Sequence, residues 1–325
     1  MIKHLLTIKS DNHDPRYNLA LEMVLFETLP KDSMILYLWQ NANTIVIGKN
    51  QNAWKECNLH ALDEDNVTLV RRSSGGGAVF HDLGNLCFTF ITEDSNYSIE
   101  RQSNIILDAL RPFGIHGELS GRNDLLVDER KFSGNAYYHH GGKAFQHGTL
   151  LIDTDLTKMS RYLNVDTSKL EAKGISSVKS RVINLIELNP DLSIPEIQKE
   201  LVKAAEKDLG LKAEEIKEVD EKSLQEKFEL YSSDAWIYGN RIGFNYSFGK
   251  RFGWGDIQFE LFVQEKKIKE CNVWSDAMDN DFIESLKNSL IGCDFTNEEL
   301  CNKVRELGNT DMVKDVVSLI QEQTF

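Results

Sequence analysis

The stretch Val67 to Ile91, VTLVRRSSGGGAVFHDLGNLCFTFI, decides the architecture. Val67 to Arg71 and Leu86 to Ile91 have the length and the branched or aromatic content of strands, and a shorter run, Ala78 to Phe80, lies between them. Glycines at 75, 76 and 77 and the polar break at Asp82 to Asn85 separate the three. The pattern continues outward. Met34 to Trp39 and Thr44 to Gly48 read as strands upstream, and Asp124 to Asp128, Lys131 to His139 and Lys143 to Ile152 downstream, with His140-Gly141-Gly142 as a hairpin turn. Helices are predicted over Tyr17 to Leu29, with Asp14 as cap, Pro15 in the first turn and Pro30 closing, and over Ser98 to Phe113. Apolar residues surround the first of these helices, so it is expected to be buried. The first part of the chain is therefore read as an α+β domain on a mixed β-sheet.

Between Ser193 and Leu230 the chain turns charged and helix-prone, opening with Ser193-Ile194-Pro195-Glu196, a capping-box pattern. These helices are expected to cover one sheet face. Around Phe244 to Gly255 glycines and aromatics intervene. Strands then resume at Ile257 to Gln264 and Lys267 to Trp274, followed by helices at Asp281 to Leu290, Asn297 to Leu307 (capped by Thr296 with Glu299) and Asp311 to Gln321. The expected domains are 1–248 and a small α+β module at 249–325.

With 325 residues, 41% hydrophobic and 27% charged, the chain has the composition of a globular protein able to bury a core. Acids outnumber bases 51 to 37 for a net charge of −14, so nucleic acid and anionic membrane are not expected partners, and any anion site must be local. The apolar part of Met1 to Ser10 is too short for a signal peptide. The longest run free of Asp, Glu, Lys and Arg, Ser33 to Gly48, contains Gln40, Asn41 and Asn43 and does not reach a span of roughly 18 apolar residues. A cytoplasmic location is expected. The 5 cysteines form no C-x-x-C pair, and reduced packing thiols are expected.

Three glycines after a strand let successive N–H groups converge on an anion, and Arg71 and Arg72 add bidentate donors. Arg71 to Asn85 thus reads as a phosphate or carboxylate cradle; the alternative is a mobile hairpin with two surface arginines. The spacing matches neither a P-loop nor a dinucleotide fingerprint. In Gly121 to Ala136, Lys131 begins a strand leading into Ser133-Gly134-Asn135 and reads either as a cation for a transferring group or as a solvated edge lysine. Asn123 and Asp124 read as holders of a nucleotide edge or Mg²⁺, or as turn residues. In Ala144 to Leu151, His147 is read with His139 and His140 as satisfied or substrate-shaping rather than metal-binding, since no carboxylate or thiolate stands near them in the sequence. Lys173 to Val182 is a basic, serine-rich loop that closes over a phosphoanhydride or merely connects.

These four runs, in this order, resemble lipoate-protein ligases over nearly the whole chain, including a C-terminal module whose FELFV and NVWSDAM segments are similar to the accessory domain of two-domain ligases. The resemblance implies a catalytic domain of the biotin and lipoate ligase type, distantly like class II aminoacyl-tRNA synthetases. It also implies two steps. Lipoate and MgATP form lipoyl-AMP, and the lipoyl group passes to a lysine on the lipoyl domain of a 2-oxoacid dehydrogenase E2 subunit or on glycine-cleavage H protein. ATP, Mg²⁺ and lipoate enter as substrates, with no tightly bound prosthetic group, and the enzyme is expected to be a monomer.

Carried onto this sequence, the resemblance implies that Arg72 and the backbone of Gly77, Ala78, Val79 and Phe80 bind the nucleotide phosphates. Arg71 supports the same lipoate-binding loop, which includes Ser74, Gly75 and Gly76; Asn85 belongs to the same motif. Lys131 bridges the lipoate carboxyl and α-phosphate, Asn123 and Asp124 lie near nucleotide and metal, His147 and Gly148 wall the acyl pocket, and Lys179 sits in the loop that folds over the adenylate. Ser73 stands where the family often has a third arginine. Octanoyltransferases and lipoyl amidotransferases of the same superfamily use a cysteine in the region after His147, and this chain has none from Phe88 through Glu270. Biotin ligases carry a different arginine-glycine loop, and a noncatalytic lipoyl-binding protein would not need Lys131.

Overall fold

The computed structural model describes residues 1–121, 123–164 and 182–325. Its elements begin with β1 (His4–Lys9), α1 (Pro15–Glu27), β2 (Ser33–Trp39), β3 (Thr44–Ile47), α2 (Ala53–Glu56), α3 (Leu59–Glu64), β4 (Thr68–Arg71), β5 (Val79–His81), β6 (Asn85–Glu93) and α4 (Ile99–Leu110). There follow β7 (Glu118–Ser120), β8 (Asp124–Val127), β9 (Arg130–His140), β10 (Lys143–Leu151), α5 (Met159–Tyr162), α6 (Ile194–Leu209), β11 (Ala213–Glu215), α7 (Glu221–Ser232) and α8 (Asp234–Tyr238). The chain ends with β12 (Tyr246–Phe252), β13 (Gly255–Gln264), β14 (Lys267–Ser275), α9 (Asn280–Leu290), α10 (Asn297–Glu306) and α11 (Asp311–Gln321).

Two compact units are present. The first comprises Met1–Val46, Cys57–Val70 and Val79–Ile237; the second comprises Ile47–Glu56, Arg71–Ala78 and Tyr238–Phe325. The first is built on an eight-stranded mixed sheet in the order β11-β1-β2-β6-β10-β9-β8-β7. β1 runs parallel to β11 and β2, and the remaining ladders are antiparallel. Every residue of β2 is buried, because alternate side chains enter different cores. Met34, Leu36 and Leu38 join Phe88 and Phe90 on one face, while Ile35, Tyr37 and Trp39 join Cys87 and Phe145 on the other.

The helix α1 starts where Asp14 accepts from the Arg16 amide at 2.9 Å and Pro15 needs no donor partner. Leu19 through Phe26 are all buried, since α1 packs against α7 as well as against the sheet. The expectation that the helices between Ser193 and Leu230 cover one face is corrected. Ile197, Leu201 and Ala205 of α6 belong to the core beneath α4, whereas Leu224 and Tyr231 of α7 belong to the core around α1. The short strand β11 between them carries the chain across, and its Ala-Glu-Glu sequence has no strand signal.

In the second unit, the antiparallel order β12-β13-β14 buries Ile257, Phe259, Leu261 and Val273 against Ile283, Leu286, Leu300, Val304, Val316 and Ile320 of α9, α10 and α11. Among the described residues no helix is long and apolar enough to cross a membrane.

Candidate active site

In the first unit, Asp124 opens β8 and the chain reverses at Asp128 and Glu129, both with left-handed φ (49° and 61°), so that β9 returns antiparallel. The Lys131 ammonium lies 2.8 Å from Asp124 Oδ1, and both side chains are 36% exposed, so the pair is open to solvent and to a ligand. The lysine backbone is held as well. Its carbonyl accepts from the Ile183 amide at 2.9 Å, and Val182, the last residue of the serine-rich loop, pairs with it as a parallel bridge. Asn123 and Asn135 lock each other: the Asn123 side chain donates to the Asn135 carbonyl at 2.8 Å, and Asn135 returns both its amide and its side-chain donor to the Asn123 carbonyl at 2.9 Å. Gln146 donates to Asn135 Oδ1 at 3.1 Å. This cluster fixes the turn from which Asp124 projects.

His147 and Gly148 lie on β10 with opposite orientations. Gly148 pairs with Asn135 and Phe88, and a side chain there would strike both; His147 instead meets the buried carboxylate of Glu22 from α1, Nδ1 to Oε1 2.9 Å. Thr89 donates to the same Glu22 oxygen at 2.7 Å and accepts from the Trp39 indole at 3.1 Å. The expectation that no carboxylate stands near these histidines is therefore corrected: Glu22 reaches His147, and Asp94 reaches His139 at 2.8 Å. Glu22, Thr89 and Trp39 are functional candidates that the linear sequence did not single out, because each is remote in sequence from His147 and looks like an ordinary helix or strand residue. The one available signal was a glutamate in the middle of an apolar helix, a position a charge occupies only with a partner. Asn85, also buried, donates to Cys87 Sγ at 3.3 Å, and Cys87 in turn lies 3.5 Å from His81 Nδ1.

The second unit holds Arg71, Arg72, Ser74, Gly75, Gly76, Gly77 and Ala78; Val79 and Phe80 lie in β5 of the first unit. The two arginines are 3% and 6% exposed, which excludes a hairpin with surface arginines. Arg71 Nη1 donates to the carbonyls of Gly48, Lys49 and Gln51 at 3.0, 2.9 and 2.6 Å, so it ties two loops together. Arg72 is curled onto its own loop, with Nη2 donating to the Gly75 and Gly77 carbonyls at 2.6 and 2.8 Å and Nε to Ser74 Oγ at 3.0 Å. Gly76 adopts φ 88°, a left-handed conformation that other residues avoid, and its amide donates to the Ala277 carbonyl at 3.2 Å. Asn280 donates to the Ser73 carbonyl at 3.2 Å, and a side chain on Gly75 would collide with Ala277 O. Beside the loop, burial lowers the Lys49 pKa, and the Arg71 and Lys287 charges push the same way against Glu284. Lys179 and the loop Lys173 to Val182, apart from Val182 itself, lie outside the described residues.

Among the described residues no group of three or more His, Cys, Asp or Glu side chains is placed to hold a metal. The Cys87 thiol is pushed well above its ordinary pKa by burial and then by the charge of Glu22, the reverse of what a nucleophile requires.

Residues 14–206 match the lipoyl protein ligase A/B catalytic domain, and residues 241–322 match the bacterial lipoate protein ligase C-terminus. The chain is 40% identical over 306 residues, 91% of its length and 90% of the relative's, to a lipoate-protein ligase A from Blochmanniella pennsylvanica (strain BPEN). In structure it is similar to P. falciparum LipL1 in complex with lipoate (TM-score 0.87, 30% identity, 98% of this chain and 100% of the other). It also resembles a chain from the structural analysis of an archaeal lipoylation system, a bipartite lipoate protein ligase and its E2 lipoyl domain from Thermoplasma acidophilum (TM-score 0.66, 28% identity, 74% of this chain and 98% of the other). A lipoate-protein ligase A bound with ATP is matched at TM-score 0.63 and 26% identity, with 74% and 99% covered. Two family matches in the right order, backed by a relative 40% identical over 91% of the chain, identify both parts of the sequence: the chain belongs to the lipoate-protein ligase family.

Proposed function

We propose that Lys131 supplies the charge on which this ATP-dependent lipoate-protein ligase turns. A carboxylate is a poor acyl donor, so ATP converts lipoate to an adenylate, and negative charge builds on the α-phosphate as pyrophosphate leaves. A lysine ammonium that contacts both the lipoate carboxyl and the α-phosphate stabilises that charge and the mixed anhydride formed. The supporting observation is the half-exposed Lys131, anchored through its own carbonyl and resting on Asp124, so a solvent-facing cation is presented without a large ordering cost. Asp124 is the proposed protein contact for the magnesium that arrives with ATP. Mg²⁺ is commonly held by one or two carboxylates plus substrate phosphates and water, and a single carboxylate fits that mode.

The loop Ser74 to Phe80 is the proposed phosphate cradle. Arg72 enters it by exchange, since phosphate oxygens must replace the carbonyls of Gly75 and Gly77 as acceptors, a trade of neutral for anionic acceptors on the same guanidinium. Asn85 and Asn123 shape the nucleotide end, His147 the acyl pocket, with Glu22 fixing its ring, and Lys179 the closing loop. The acceptors are lysines of lipoyl-domain proteins, E2 subunits and glycine-cleavage H protein; we place the reaction in the cytoplasm and on a monomer.

The test is exchange of labelled pyrophosphate into ATP with lipoate, octanoate or biotin supplied. Lipoate-dependent exchange that falls by about 10²-fold or more in Lys131→Ala, the loss typical when one oxyanion-stabilising donor is removed, is expected. Exchange that survives the substitution would take the central role away from Lys131.

A further inference from the structure

Lys131 owes its position to a break in the β8–β9 ladder. Asp124 and Leu126 are two residues apart on β8 and so face the same side. Their partners on β9 are Gly134 and Lys131, three residues apart, because the register shifts at Phe132. The extra residue turns Lys131 onto the side occupied by Gly134, as bulges do where a side chain must be re-aimed. The lysine then lies along its own strand across Gly134 toward Asp124. A Cβ built on Gly134 would stand 2.8 Å from Lys131 Nζ and 2.9 Å from Cε, and apart from its chain neighbours it would meet no other atom of the described residues within 4 Å. The Gly134 backbone is outside the left-handed region, so its φ does not require glycine.

We propose that Gly134 is a positioning residue for Lys131: its missing side chain is the seat on which the lysine arm lies, and the bulge at Phe132 aligns the two. This rests on the reading of Lys131 given above. A methyl group and an ammonium nitrogen need roughly 3.5 Å or more. An alanine at 134 therefore lifts Nζ by somewhat under about 1 Å and away from Asp124, a displacement that costs between about 10- and 100-fold where geometry sets the rate.

The experiment compares wild type, Gly134→Ala, Lys131→Ala and the double variant. In lipoate-dependent pyrophosphate exchange, Gly134→Ala is expected to lose about 10- to 100-fold while its unfolding midpoint stays at the wild-type value. In the Lys131→Ala background the same change is expected to do nothing further, because the atoms it displaces are gone. An equal loss in both backgrounds, no loss in either, or a Gly134→Ala chain that fails to fold would each overturn the proposal, the last because it would show a clash other than the lysine. Labelling of Lys131 by acetic anhydride, read by peptide mass spectrometry, needs no activity. A rate altered by Gly134→Ala supports the seat, and an unaltered rate overturns it. Altered labelling in a protein that catalyses no exchange would mean that the ligase reading has failed and the seat has not.

Discussion

Glu22 is a carboxylate inside an apolar helix, 2% exposed at its side chain, and what keeps it there is the pair of contacts to Thr89 and His147. Removing one member of a buried polar pair leaves the others desolvated without a partner, so Glu22→Ala is expected to lower the unfolding free energy by about 3 kcal/mol in a denaturant titration. Glu22→Gln keeps an acceptor for Thr89 and is expected to cost roughly half of that. Arg71 makes the complementary case for a buried cation. Its guanidinium serves three carbonyls of residues 48–51 through Nη1, and Arg71→Met, of similar length but without donors, is expected to cost about 3 kcal/mol by the same measurement, since Nη1 carries two N–H groups and a hydrogen bond from a charged donor contributes about 1.5 kcal/mol or more. Equal stability of either variant and wild type would show that the surrounding groups find other partners. Both residues carry charges that composition assigns to the surface; only the contacts made across the fold reveal why they are inside.

At the scale of elements, ends and edges decide more than interiors. Asp14 caps α1, so Asp14→Ala is expected to cost about 1 kcal/mol, read as a lower thermal midpoint, and Asp14→Asn or Ser to recover most of it. α10 behaves as its sequence implies, with Thr296 accepting from the Glu299 amide at 3.3 Å. α6 does not: Ser193 donates its hydroxyl to the Glu196 carboxylate at 2.6 Å instead of capping an amide. The capping-box pattern therefore marks where the helix begins without dictating which bond is made. Strand pattern likewise located β8 and β9, but alternation alone would put Lys131 and Gly134 on opposite faces. The extra residue at Phe132 reverses that, and nothing in the local composition announces it because the bulge is set by the partner strand.

Across the whole molecule, the five cysteines lie in both units, all are buried, and among the described residues none is in a disulfide. Burial raises the thiols of Cys87, Cys271, Cys293 and Cys301, that of Cys271 to about 12. A thiol whose folded pKa is raised contributes stability that is complete below its unfolded value, about 8.5, and is lost as pH climbs through the folded value. Stability is accordingly expected to fall as pH rises above about 8.5, with a steeper fall than in Cys87→Ala or Cys271→Ala. Ellman's reagent at pH 8 is expected to react slowly with the native protein and rapidly with all five thiols in guanidinium; rapid native reaction would contradict the burial.

Much of this protein can be read from one dimension. Period and punctuation along the chain located α1, most strands and the helices of the C-terminal module, because those signals are local: a proline, a cap, a run of branched residues. Four short motifs in a fixed order were enough to point to a lipoate ligase and to Lys131. The tertiary structure alone decided the rest. It put α6 and α7 on opposite faces of the sheet, since both are amphipathic and either face is apolar enough to receive them. It folded Arg72 onto its own loop, where three carbonyl and hydroxyl acceptors converge. It joined Glu22 to His147 across 125 positions and seated Lys131 on Gly134. The helix faces and the Glu22–His147 contact depend on groups brought together by long-range pairing, whose partners no short window of sequence contains; Arg72 and Lys131 meet partners only a few residues away, but in a loop conformation and a strand register that the chain's periodicity does not specify.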